Sequence, residues 1–210
     1  MKVDLIALTE YLDGGGTPEE LIEHAGRVCW RTESQGDPGR FIRRRVREGH
    51  ESILEHASAT FEISGVSRAC THQLVRHRIA SYSQESQRYT KPEDEYVVPQ
   101  GVADNEAARE IFRNAMNAAA RAYDQLRAVG VRKEDARFVL PNAASTRVVV
   151  TMNFRAWRHV ISERGLNPAA QWEIRELANH VLDELVKVAP NVFQDLARRR
   201  DQLRRMGAEI

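Results

Sequence analysis

Between Arg76 and Tyr89 the chain reads RHRIASYSQESQRY: three cationic or titratable side chains in a row, a run of hydroxyl and amide groups, and a further arginine at position 88. A guanidinium is planar, permanently charged and matched to the forked oxygens of phosphate and carboxylate. The Ser86 hydroxyl and the backbone amides at 84 to 88 can add donors to the same oxygens. Such a surface suits a small anionic ligand rich in hydrogen-bonding atoms. On a continuous helix, Arg76, His77 and Arg78 would point about 100° apart. Either the helix ends here, or several ligands and subunits surround it.

A second stretch, GHESILEH from Gly49 to His56, supports two readings. Ser52 with Glu55 three positions later has the form of a capping box, which would satisfy two orphan amides at a helix start. Alternatively His50, Ser52 and Glu55 stand at the mouth of a polar site, where helix N-terminal amides favour an anion. The arginine runs RFIRRRVR (40 to 47) and LARRRDQLRR (196 to 205) read as solvated helix faces. Nucleic-acid contact is their alternative, but neither run is interleaved with the series of aromatic residues that base stacking uses. No glycine-rich dinucleotide or P-loop fingerprint occurs, so phosphate would have to be held by side chains. His50 and His56 lie six apart and His72 and His77 five apart, which matches no paired zinc spacing. No metal site is expected.

These residues must be positioned by a chain of 210 residues, 42% hydrophobic, with 31 Lys and Arg against 30 Asp and Glu. That length suits one globular domain, and a formal charge of +1 gives no whole-molecule field for nucleic acid or membrane. Two cysteines and no long apolar run point to a soluble, cytoplasmic protein in which Cys29 and Cys70 are small buried residues. MKVDLIALT reads as a strand and DGGG (13 to 16) as a turn. Thr17, Pro18 and Glu20 start a helix with a capping box, and a second helix follows Asp37 and Pro38. Residues 57 to 64 alternate as a strand does, and VSRACTHQLVRHR reads as a helix running into the opening stretch. EYVVP is expected as a short strand and residues 105 to 130 as the longest helix. ASTRVVVTMN is β-branched and strand-like, followed by helices at FRAWRHVISER, AAQWEIRELANHVLDELVKVA and VFQDLARRRDQLRRM. Strands interspersed with longer helices give an α+β or α/β domain with a small sheet.

Arg76-His77-Arg78, seven residues and then Ser86 resembles the R-H-R-x7-S signature of the flavin-dependent thymidylate synthases. GHESILEH, LPNAASTR ending at Arg147, NFRAWRHVISER from Asn153 to Arg164 and AQWEIR from Ala170 match further motifs in that family's order, over roughly residues 1 to 195. The resemblance implies a single domain over 1 to 210, with a small, largely antiparallel central sheet flanked by helices. It implies a homotetramer with active sites shared between subunits. It also implies reductive methylation of dUMP to dTMP, with 5,10-methylenetetrahydrofolate as carbon donor, NADPH as reductant through FAD, and no cysteine nucleophile. Carried over residue by residue, Ser52, Glu55, Arg76, His77, Arg78, Gln84, Asn153, Arg155 and His159 resemble the flavin contacts. Gln73, Arg76, Glu85, Ser86, Gln87, Arg88, Arg147 and Arg164 resemble the dUMP site. Arg164, Ser86 and His50 fall nearest the chemistry, Arg164 beside the pyrimidine and His50 at the folate and flavin end. The chain departs from many relatives at Pro168 and Ala169, where they carry a histidine, so no flavin contact is carried over there. A small basic-patched nucleic-acid-binding protein is the alternative from another class.

Overall fold

A computed structural model describes residues 1–13, 16–34, 36–90 and 95–210. Strand β1 (Lys2–Leu8) leads to helix α1 (Pro18–Trp30), where Thr17 accepts from the Glu20 amide and Glu20 answers to the Thr17 backbone, the expected capping box. The DGGG turn lies partly outside the described residues; its flanks, Tyr11 and Gly16, form a β-bridge. Helix α2 (Pro38–Arg47) is capped by Asp37. A 3₁₀ turn, Glu51–His56, then delivers the chain to strand β2 (Ser58–Ser67). Helix α3 (Arg68–Leu74) and strand β3 (Ser81–Gln84) follow, then α4 (Gln100–Ala103), α5 (Glu106–Ala128) and α6 (Lys133–Ala136). Strand β4 (Ser145–Asn153) is followed by α7 (Phe154–Val160), α8 (Trp172–Val188) and α9 (Pro190–Arg205).

The four strands form one antiparallel sheet in the order β1-β2-β4-β3. Side chains alternate across a strand, so β2 and β4 present Ala59, Phe61, Ile63, Val148, Val150 and Met152 to one face. Helices cover that face. Trp157 of α7 meets Phe61 edge-on, and Phe154 meets Phe193 of α9. Burial of these rings, together with Ile174, Leu177, Val181 and Leu182 of α8, holds α7 to α9 in the core. The other face carries Glu62, Arg147, Thr60 and Thr151 and remains polar and half-exposed, as antiparallel sheets permit.

Four expectations are corrected. Ser52 and Glu55 form no capping box: the segment is a 3₁₀ turn with His50 at its N-cap position and no side-chain cap bond. The helix expected over VSRACTHQLVRHR is only seven residues long, because β2 continues to Ser67 through a bulge at Gly65. EYVVP forms no strand beyond a single bridge from Tyr96 to Ala144. Cys29 is exposed, since it lies on the outer side of α1, while Cys70 is buried as expected.

Candidate active site

The end of α3 decides how the R-H-R residues are displayed. Tyr82 of β3 places its hydroxyl 2.8 Å from the carbonyl oxygens of both Leu74 and His77. The helix closes there, and residues 76–79 leave it as turn and irregular backbone. Arg76, His77, Arg78 and Ile79 can then line one cleft together, which a continuous helix would forbid. The cleft has a volume of about 730 Å³; its opposite wall is α7 with Asn153, Arg155, Ala156 and His159, and its rim includes Glu51 and Glu55 of the 3₁₀ turn.

Each wall is held by its own bonds. Asn153 caps α7 by accepting from the Ala156 amide at 2.8 Å. Arg155 pairs with Glu55 at 2.5 Å across the cleft rim. Arg158 is buried and pinned by two 2.7 Å bonds to Asp195, a bond to the Val192 carbonyl and an ion pair with Glu51. Its charge is therefore engaged in the fold, whereas Arg76 and Arg78 are exposed.

Beyond α7 the chain makes a π-helical turn, Ile161–Gly165, a feature common at functional sites. It directs Arg164 at His77, with Nε donating to His77 Nε2 at 3.1 Å. The His77 and His159 rings stand 5.6 Å apart, edge to face. Burial, reinforced by the Arg164 and His159 charges, pushes His77 down to about 4. The ring is neutral at pH 7, and because Nε2 accepts from Arg164 its proton sits on Nδ1.

The remaining predicted residues lie elsewhere. Gln84 donates to Thr71 and Thr146, and Gln73 bonds the Ala69 carbonyl and reaches toward Gln171. Arg147 projects from the uncovered face of the sheet, 62% exposed and 3.5 Å from Glu62. It lines a hollow of about 390 Å³ with Gln84 and Glu85. Ser86 and Gln87 begin a turn in which the Ser86 hydroxyl receives the Arg88 amide, and Arg88 pairs with Glu134 at 3.3 Å. Two of the backbone donors expected for a ligand, those of Glu85 and Arg88, are thus engaged within the chain. His50 and Ser52 are exposed and do not line the large cleft; His50 lies against Trp30 instead.

Glu173 was not singled out from the sequence. It is 2% exposed and accepts from both the amide and the hydroxyl of Ser67, whose Oγ in turn caps α3 at the Cys70 amide. A glutamate set between Trp172 and Ile174 was the available signal, because a buried carboxylate needs partners.

The family model described as "Thymidylate synthase complementing protein" matches residues 7–191. A flavin-dependent thymidylate synthase of Mycobacterium marinum is 44% identical over 93% of this chain and 89% of its own length. The chain belongs to the flavin-dependent thymidylate synthase family. A member from Geobacter sulfurreducens is 48% identical over 85% of this chain and 82% of its own. The fold also resembles that of a UMP/dUMP methylase, PolB, from Streptomyces cacaoi, solved with 5-Br dUMP; the TM-score is 0.82 at 24% identity, covering 94% of each chain. At that identity the likeness speaks to fold.

Proposed function

We propose that the protein converts dUMP to dTMP by reductive methylation, with FAD in the large cleft, 5,10-methylenetetrahydrofolate as carbon donor, NADPH as reductant and a homotetramer as the working form. The observation that carries this reading is the cleft, where Arg76, Arg78 and Arg155 stand around the neutral His77 and the ring of His159 and connect through His77 to Arg164. FAD fits the donor set. Its diphosphate calls for guanidinium partners, its ring system for the apolar surface of Ile79 and Ala156, and a volume of about 730 Å³ is within the usual range of cofactor pockets. Bound there, FAD would supply hydride chemistry that no side chain can perform.

The chain's own residues have separable tasks in this reading. Arg155, steadied by Glu55, and Arg76 and Arg78 bind the cofactor's anionic part. Asn153 holds the start of α7, and with it the opposite wall. Arg164 keeps one edge on His77, leaving its terminal nitrogens to stabilise negative charge on a pyrimidine edge. Arg147 and Arg88, released from Glu62 and Glu134, bind the nucleotide's phosphate, and Ser86 completes its oxygens. Neither thiol suits nucleophilic attack. Burial, with the Glu173 charge behind it, pushes Cys70 far above the ordinary thiol range, and Cys29 is outside the cleft.

Within one chain Arg164 stands beside the cleft while Arg147 stands on the opposite face of the sheet, so a single copy does not bring the proposed nucleotide residues together. A second copy contributing one of these sets would complete the site. The direct test is tritium release from labelled dUMP in the presence of FAD, NADPH and methylenetetrahydrofolate. Release with formation of dTMP is expected. A flavin-loaded preparation that releases none would end this reading.

A further inference from the structure

A second cleft, of about 440 Å³, opens between α1 and α2 and is lined by Arg27, Trp30, Arg40, Phe41, Arg44 and Arg45 together with Thr32 and Asp37. Four guanidiniums thus meet one carboxylate. Two of them are fixed by aromatic rings: Arg45 lies 4.6 Å from the Trp30 centroid and 5.5 Å from that of Phe41, and Arg27 lies 4.7 Å from Phe41. A guanidinium stacked on a ring keeps its edge donors free to face an oxyanion and loses little side-chain entropy when it binds. Local acids neutralise the cluster incompletely. Glu23 pairs with Arg27, and the single carboxylate of Glu48 is shared by Arg44 and Arg45. The Nε of Arg45 is buried without an acceptor, and the Arg40 guanidinium has no partner among the described residues.

Trp30 meets His50 edge-on at 6.2 Å, and His50 is followed directly by Glu51 and Glu55 on the rim of the large cleft. Trp30 of the α1–α2 cleft thus touches the residue next to Glu51 of the large cleft, which makes the two clefts neighbours. Resting on the reading above, we propose that the α1–α2 cleft is an oxyanion site. It takes the multiply charged tail of a co-substrate, a chain of carboxylates or phosphates, whose reacting end lies in the neighbouring large cleft. Its volume exceeds what a single phosphate fills, and four cations suit several charges in series. The glutamate chain of the methylene donor and the phosphates of the nicotinamide dinucleotide are two sources of that one chemistry.

The test uses the FAD-loaded enzyme and the double variant Arg40→Gln/Arg44→Gln, whose altered side chains are exposed and leave the packed Arg45 in place. Calorimetry with tripolyphosphate and with tri-γ-glutamate should show binding to the wild type that weakens about tenfold or more in the variant. Arg45→Gln should weaken it as well. In turnover, a rise of about tenfold in KM for a triglutamyl donor, with the monoglutamyl KM nearly unchanged, identifies the glutamate chain as occupant. A rise confined to NADPH identifies the dinucleotide. Equal probe binding by wild type and variant overturns the site, and probe binding with neither KM moved overturns its link to a co-substrate. A wild type that makes no dTMP refutes the functional reading instead, and calorimetry still decides whether the cleft binds oxyanions.

Discussion

The pairing of His77 with Arg164 makes a charge relation that pH can interrogate. The folded state holds His77 at about 4, below the ordinary imidazole value of about 6.5, so folding favours its neutral form. The associated stability is complete above pH ~6.5 and is lost as pH falls from there through about 4. An NMR titration should place the His77 midpoint near the lower value. Arg164→Gln should raise that midpoint only partway, because burial is the largest cause and remains. A midpoint unmoved by the substitution would mean that the Arg164 charge is not felt at His77. On the other face of the sheet, Arg147→Ala should weaken dUMP binding by roughly 10 to 150 fold, as loss of a charge-assisted hydrogen bond of about 1.5–3 kcal/mol implies. FAD reduction by NADPH without dUMP should change far less. Unaltered dUMP affinity in a flavin-fluorescence titration would take Arg147 out of the phosphate site.

At the scale of elements, much of the scaffold was legible because its signals are local. Thr17 with Glu20 and Asp37 before Pro38 mark helix starts by side-chain chemistry that works over three residues. What was not legible depends on residues distant in sequence. β3 is four polar and aromatic residues, SYSQ, and becomes a strand only by pairing with β4. The helical pattern through Leu74 carries no stop signal of its own; the stop is the Tyr82 hydroxyl, eight residues on. The π turn that aims Arg164 is fixed by α8, where Gly165 approaches Ala178 so closely that an added Cβ would stand 3.2 Å from the Ala178 methyl, and Asn179 holds the Gly165 carbonyl. The candidate site was likewise half visible. Motif residues around 76–78 and 153–159 do share a cleft, while the separation of Arg147 from Arg164 across the sheet needed the fold. Glu173→Ala tests how far one buried contact supports this arrangement. It strips partners from both Ser67 donors and should lower stability by about 2–4 kcal/mol. Urea denaturation measures this directly, and a loss below about 0.5 kcal/mol would deny Glu173 the role of holding the start of α3.

At the scale of the whole molecule, the surface of one chain is unfinished in a way the proposed tetramer would resolve. Among the described residues of α5 only Tyr123 is buried, though the helix spans 23 residues. Ile111 is 71% and Phe138 83% exposed, and Ile79 stands exposed at the large cleft. Apolar side chains of this size left in water favour association. A closed symmetric assembly repeats each contact, and one that sets the cleft of one copy against the Arg147 face of another would complete the proposed site. If the proposed site draws Arg88 and Arg164 from different subunits, then Arg88→Ala and Arg164→Ala, each inactive alone, should complement each other. In an equal mixture with random exchange, about a quarter of sites would take both intact residues, so turnover should recover to about a quarter of wild type. Light scattering must first establish the tetramer, and native mass spectrometry with one variant isotope-labelled its mixed composition. Mixed tetramers without recovered turnover would place Arg88 and Arg164 of each site on one chain, and a monomer in solution would reject the shared site altogether.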